Sequence, residues 1–277
     1  MKTLATALDI LGLFASDKES LSVGEIATAT RLAKSKVSRL LAIYRAYGIL
    51  EQDPVSRRYK VGIRAFELGS VFAKNDPLAH DALPIMRRIA DTSGHSATLS
   101  IMAGDVVLHL MAVEGPLYID GRWRVGNRLA PHATSAGKVL LASLSPTELA
   151  SFVSRNPLTR ITASTVTSMP RLRAQLEQVR AAGFSITRGE SAPGLAAIAV
   201  PVLGRGDRIV AALGMVVPDH LFDEDESLSW IAKLHDGART LSMKRGASAY
   251  PYGGMRGRSP HASARGAQQR GRSRAPA

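Results

Sequence analysis

RLAKSKVSRLLAIYRAYGIL, residues 31–50, decides how the first part of this chain folds. Val37, Leu40, Leu41, Tyr44 and Tyr47 fall at i, i+3, i+4, i+7 and i+10, so they share one face of a helix. Lys34, Ser35, Lys36, Ser38 and Arg39 gather at the start of that helix, largely off the apolar stripe. Gly48 ends it, because its backbone tolerates the left-handed conformation at a helix terminus. One face is therefore offered to a core and one basic end to an anionic partner.

Working outward, Leu4, Leu8 and Leu11 recur at helical spacing and are expected to bury one face of a first helix. Ser22 and Glu25 form a capping box that opens a short second helix, VGEIATAT. On the other side, ILEQD, the turn PVSR and RYKVG predict a two-stranded hairpin with Arg57 and Arg58 at its tip. Helix, short helix, turn, basic helix and hairpin make a winged helix-turn-helix. A DNA major groove admits one helix, whose N-terminal residues reach base edges, while a wing contacts the adjacent backbone. The candidate DNA-binding residues are Lys34, Ser35, Lys36, Ser38, Arg39, Arg57 and Arg58.

IRAFELGSVFAKN, from Ile63, is a further helical pattern, and Asp76-Pro77 follows it. The expected organisation is a winged domain at 1–61, a linker helix at 62–75, a second domain at 76–243 and a basic tail at 244–277, whose Gly-, Ser-, Pro- and Arg-rich composition offers too little apolar surface to order and predicts disorder. In the second domain SATLSIMA and VVLHLMAV flank the turn Gly104-Asp105, and LYIDGRWRV adds a candidate strand. A helix is expected over 135–143. Ser145-Pro-Thr-Glu148 is a capping box, and PRLRAQLEQVRAAG is a long helix ended by Gly183. FSITR, AAIAVPVL and IVAALGMVV read as strands, and EDESLSWIAKLHDGART as a closing helix. Hairpins with interspersed helices predict an α+β fold with a mostly antiparallel sheet.

With these residues in hand, the chain from Ala5 to Thr240 resembles the IclR family of bacterial transcriptional regulators. ALDILGLFA, LSVGEIATATRLAKSKVSRLL, YGILEQD and RRYKVGIRAFELG resemble its winged domain, except that Lys36 stands where threonine is usual. That departure adds a long cationic donor and bears on base preference. DVVLHLMAVEG, RVGNRLAPHATSAGKVLLA and GFSITRGESAPGLAAIAVPV resemble its effector domain. The resemblance implies a GAF-like effector domain that binds a small organic or aromatic acid, and assembly as a homodimer or tetramer. By position it places the effector pocket at Ser135, Ala136, Thr187, Glu190, Leu195 and Ala197, with Met102, Leu110 and Trp123 as further candidate lining. Some members carry an acid where Thr187 stands and a cysteine where Ala197 stands, which points here to a larger, more apolar acid. From the residues themselves, a helix opening at Ser135 and Ala136 offers free N–H groups and a hydroxyl to a carboxylate.

Composition bounds the rest. The 277 residues allow two domains. No apolar run reaches membrane-span length, and the helical first residues, interrupted by Asp9, do not read as a signal peptide. A cytoplasmic protein is expected. Cysteine is absent, which excludes thiol chemistry and thiolate metal sites. His95, His109, His132 and His220 lie too far apart for a zinc signature, so neither metal nor cofactor is expected. HATSAGKV fails as a phosphate loop, because His132 stands for the first glycine and Val139 for the final Ser or Thr. Lys138 is expected at solvent or in a salt bridge. The formal charge is +13, of which residues 244–277 account for +8 with no acid, leaving the folded part mildly basic. An enzyme would need an acid, base and nucleophile set, which does not recur, so no catalytic residue is assigned. An RNA-binding protein would need exposed aromatics for stacking, which are scarce.

Overall fold

The computed structural model describes residues 2–15, 18–117 and 125–253. In the first region α1 (Lys2–Gly12), α2 (Val23–Thr30) and α3 (Lys34–Ala46) precede a hairpin of β1 (Leu50–Gln52) and β2 (Tyr59–Val61). The capping box forms as expected: Ser22 Oγ accepts from the Glu25 N–H at 3.2 Å, and the Ser22 N–H donates to Glu25 Oε2 at 2.8 Å. A small core of Ile10, Phe14, Leu21, Ile26, Val37, Leu41, Leu50 and Tyr59 holds these elements together. Each such fully buried aliphatic chain contributes about 1.5–3 kcal/mol.

Two sequence expectations are corrected here. The buried face of α1 carries Ile10, with Phe14 just beyond, whereas Leu4 and Leu8 are exposed and Leu11 only half-buried. On α3 Val37 and Leu41 are buried, Leu40 and Tyr44 half-buried, and Tyr47 is 75% exposed at the helix end. The stripe is narrower than its periodicity, and α1 meets α3 at the Tyr44 hydroxyl, which donates to the Ala7 carbonyl.

The helix α4 (Ile63–Asn75) follows, with Ile63, Phe66, Leu68, Val71 and Phe72 all exposed in the single chain. Asp76 then caps α5 (Pro77–Ser93), its Oδ1 accepting from the Ala79 N–H at 2.7 Å. No reading of the sequence above identified α5, which buries Ala82, Ile85, Met86 and Ile89.

The second region is built on an antiparallel six-stranded sheet. Its strands are β3 (Ser96–Ala103), β4 (Val106–Val113), β5 (Arg128–Leu129), β6 (Ser185–Arg188), β7 (Leu195–Leu203) and β8 (Ile209–Pro218), in the order β5-β4-β3-β8-β7-β6. On one face α5 and α9 (Glu224–Lys244) pack on Leu99, Ile198, Val200, Leu213 and Met215. Gly237 lets α9 settle there, since a Cβ would stand 2.7 Å from Ile85 Cγ2 and 3.1 Å from Leu213 Cδ2. On the other face lie α6 (Ser135–Leu141), α7 (Pro146–Arg155) and α8 (Met169–Ala182), whose apolar residues meet Val107, Ala199 and Ala212.

The tail expected from 244 onward is also corrected. Residues 245–253 are docked: Ala247 is buried, Ser248 donates to Asp207 at 2.5 Å, and the Tyr250 hydroxyl meets His235 Nδ1 at 2.9 Å and the Pro201 carbonyl at 3.1 Å. Two tyrosines supply the apolar area that the Gly- and Arg-rich composition seemed to lack. Residues 254–277 lie outside the described residues.

Candidate nucleic-acid interface and effector chamber

The basic start of α3 stands clear of its own domain. Lys34, Ser35, Ser38 and Arg39 are exposed and Lys36 half-exposed, while Val37 between them is fully buried. Helical geometry produces this: one residue of the first turn anchors the helix and its neighbours radiate outward. Arg31 holds a left-handed φ of 57° as the C-cap of α2, which makes the turn between the helices tight.

The two arginines at the wing differ. Arg57 is exposed at the tip, in the left-handed region with φ 57°. Arg58 turns back into the protein, donating to Ser20 Oγ at 3.0 Å, the Ser20 carbonyl at 3.0 Å and Glu25 Oε2 at 2.8 Å. Its guanidinium fastens the wing to the N-terminus of α2. The Glu25 carboxyl is held down to about 2 by the Ser22 backbone and side-chain hydrogen bonds, with Arg58 and Lys18 adding attraction. Glu25 is thus both capping partner and wing anchor.

In the second region the polar groups turn inward. Cross-strand pairing places Thr187, Ala197, Val216 and Ser96 in one row, and Ser185, Ala199, Gly214, Thr98 and Ala112 in the next. Ser100 and His109 continue this face, with Ser100 Oγ 2.8 Å from His109 Nδ1. Ala199 and Ala212 share it and touch the α6–α8 layer, so the small polar side chains lie under those helices. Ser135, Ala136, Thr187 and Glu190 are all buried, and Leu195, Ala197 and Met102 are half-buried. Burial lowers the His109 pKa to about 4, so its imidazole is neutral at pH 7.

The helix α6 packs over this face of the sheet. Thr134 Oγ1 accepts from the Gly137 N–H at 3.0 Å and leaves the first N–H groups of the helix facing outward from its end. At Gly137 a Cβ would lie 2.2 Å from the Pro131 carbonyl oxygen, so the glycine is required for the helix to seat. Lys138 pairs with Glu190, as the salt-bridge expectation allowed, but it is only 1% exposed rather than at solvent. Loop 157–168 braces the opposite wall. Thr165 Oγ1 donates to the Glu190 carbonyl at 2.8 Å, Thr162 Oγ1 to the Gly189 carbonyl at 2.6 Å, and His132 Nε2 meets the Thr159 carbonyl at 3.0 Å.

Of the further lining residues, Leu110 belongs elsewhere: a register shift next to Leu99/Ser100 packs it on the α5–α9 core. Trp123 and the candidate strand around it lie at 118–124, outside the described residues. Sequence reasoning missed Thr98, Ser100, His109 and Ser185. Their signal was the alternation of Ser96, Thr98 and Ser100 along β3, a pattern that ordinarily marks a strand face in water. An open groove of about 490 Å³, bordered by Met102, Leu144 and Phe152, lies between the β3–β4 turn and α7. Among the described residues no cluster of ligating side chains could hold a metal, and no helix is long and apolar enough to cross a membrane.

Residues 71–243 match the model of the bacterial transcriptional regulator IclR C-terminal domain, and residues 3–54 that of the IclR helix-turn-helix domain. The chain is 33% identical over 243 residues to the HTH-type transcriptional regulator BhcR of Paracoccus denitrificans, covering 88% of this chain and 87% of that one. It is 29% identical to the HTH-type transcriptional repressor AllR of Escherichia coli, covering 90% and 92%. An IclR homologue from Microbacterium hydrocarbonoxydans, solved in complex with 4-hydroxybenzoate, superposes with a TM-score of 0.74 at 28% identity, over 89% of this chain and all of that one. A regulator from Alicyclobacillus acidocaldarius shares the fold with a TM-score of 0.79 at 24% identity, over 89% and 99%. With residues 3–54 and 71–243 matched by the two family models and a relative 33% identical over 88% of its length, the chain belongs to the IclR family of ligand-responsive, DNA-binding transcriptional regulators.

Proposed function

We propose that this regulator is a cytoplasmic homodimer that binds operator DNA through Lys34, Ser35, Lys36, Ser38, Arg39 and Arg57, and senses a small organic or aromatic acid in the chamber under α6. The organisation is a winged domain at 1–61, a linker at 62–75 and an effector domain from 76 to about 253. Arg58 serves by bracing the wing rather than by reaching phosphate. The acid's carboxylate sits at Ser135 and Ala136, and its body lies against Thr187, Leu195, Ala197 and Met102.

One observation carries the sensing role. Thr98, Ser135, Ser185 and Thr187 are all buried, on α6 or on the sheet face that α6–α8 cover. Buried polar groups require partners, and a bound polar molecule is the partner we assign to these. The missing carboxylate at 187 and thiol at 197 leave room and apolar area for an aromatic or branched body. The exposed Leu4, Leu8, Phe66, Val71 and Phe72 support dimerisation, since a monomer gains nothing from keeping them in water. Two copies also double the base pairs read by one short helix.

The test uses the full chain and a duplex selected by it from random sequence. Acids from glyoxylate to 4-hydroxybenzoate are titrated by calorimetry and in a DNA-binding assay. One site per chain, a shift in DNA affinity and recovery of the acid unchanged are expected. Failure of every acid to bind, or its conversion to product, contradicts the sensing role.

A further inference from the structure

Lys138 is the largest of the fully buried side chains, and its Nζ donates to Glu190 Oε1 at 2.5 Å. Glu190 is itself buried, and its Oε2 has no hydrogen-bond partner among the described residues. The lysine follows Ser135 by three residues on α6, so the two lie on neighbouring positions of one helix side. The glutamate rides on the β6–β7 connection, whose backbone Thr162 and Thr165 hold in place. Arg171 on α8 adds a like charge near Lys138, which burial already disfavours as a cation. Such a pair is expensive to desolvate, and two apolar residues would often serve stability as well. Its place inside the effector domain points to a role other than holding the fold.

We propose that Lys138 and Glu190 form a charge latch that sets the specificity of the effector seat: Glu190 cancels the lysine, so an acid is held by hydroxyl and backbone donors alone. The latch also ties the β6–β7 connection to α6. It rests on the reading of this chamber as the acid site. A lysine without its glutamate would trap acids too tightly for a reversible response, and a glutamate without its lysine would repel them. The pair therefore works as a neutral unit, and affinity for an anion follows the net charge left by substitution.

The experiment measures binding of 4-hydroxybenzoate and of neutral 4-hydroxybenzamide to the full chain. Glu190→Gln, which leaves a net cation, is expected to tighten acid binding about tenfold or more, and Lys138→Met, which leaves a net anion, to weaken it similarly. The amide should shift less than about threefold in both, at the scale of uncharged contacts. The double variant K138M/E190Q is neutral and should fold and bind the acid near the wild-type level. If wild type binds neither probe, the same variants are measured with the acid that the wider titration finds and with its amide; if no acid binds, the acid-site reading and the latch fall together. If wild type binds but both single variants change in the same direction, or the amide changes as much as the acid, the latch alone falls. Where the single variants do not fold, the double decides: wild-type affinity supports the latch. Loss of acid binding, or failure to fold, overturns it, because a neutral pair should then have been accepted.

Discussion

The winged region and the effector domain distribute polar groups in opposite senses. In the first, the charges of α3 point outward and the small core is apolar apart from the Tyr59 hydroxyl. In the second, Thr98, Ser100, His109, Ser135, Lys138, Ser185, Thr187 and Glu190 are all enclosed. A domain that meets a polymer at its surface keeps recognition groups in water and needs only a scaffold behind them. A domain that surrounds a small molecule must bury them, and burial makes them costly when unpartnered. The two regions should therefore fail under different conditions.

Acid is expected to separate them most strongly. The first histidine of the chain is His80, so the winged region has none. In the effector domain His109 and His235 are lowered to about 4, chiefly by burial, with Arg239 adding to the effect at His235. A histidine with a depressed folded pKa stabilises fully above its unfolded value of 6.5, and that contribution is lost as pH falls toward 4. The loss approaches about 3 kcal/mol for each of the two by pH 4. Glu25 and Asp53 in the winged region have lowered pKa values instead, so their contribution persists until pH drops below the ordinary carboxylate range. Tryptophan fluorescence, with both tryptophans beyond residue 100, should report unfolding between pH 6.5 and 4 before hydrogen exchange shows opening of α2 and α3. Simultaneous opening would break the contrast.

Packing should divide them next. Gly137→Ala forces a methyl against the Pro131 carbonyl and is expected to cost about 1–3 kcal/mol in denaturant unfolding. Gly12→Ala, where a Cβ meets nothing within 4 Å, should change stability by less than about 0.5 kcal/mol. Equal effects would show that α6 is not closely seated.

Smaller still is the difference between the wing arginines. Arg58→Ala removes hydrogen bonds to Ser20 and Glu25 and should lower stability by about 1 kcal/mol. Arg57→Ala should leave stability unchanged and reduce the salt slope of DNA binding by about 1. An exchange of these two phenotypes would refute the division of labour drawn between them.

How much was legible follows from the same contrast. Capping boxes at Ser22 and Ser145, the strands SATLSIMA and VVLHLMAV and the helix end at Gly183 are local, so sequence spacing was enough to find them. The buried face of α1 was misassigned because Leu4 and Leu8 are as apolar as Ile10, and only packing or a partner chooses between them. The helix α5 escaped notice since PLAHDALPIMRRIADTS carries Pro84 inside it and two charges beside Ile85 and Met86. For the chamber, Ser135, Ala136, Thr187 and Glu190 came from family resemblance, and all four are buried. The inner row of Thr98, Ser100 and His109 was hidden by a bulge in β3–β4 and by the outward-looking alternation of the strand. Where hydroxyls alternate with apolar residues, nothing local says whether water or a helix covers them.

The most direct test of this opposition compares Arg39→Ala and Ser135→Ala in one assay, DNA affinity with and without the bound acid. Arg39→Ala should lower affinity for the selected duplex by about 1–3 kcal/mol and keep the shift caused by the acid. Ser135→Ala should keep the affinity and lose the shift. If both substitutions alter both quantities alike, or if Arg39→Ala leaves DNA binding untouched, the outward face of α3 and the chamber under α6 do not carry the separate tasks assigned to them.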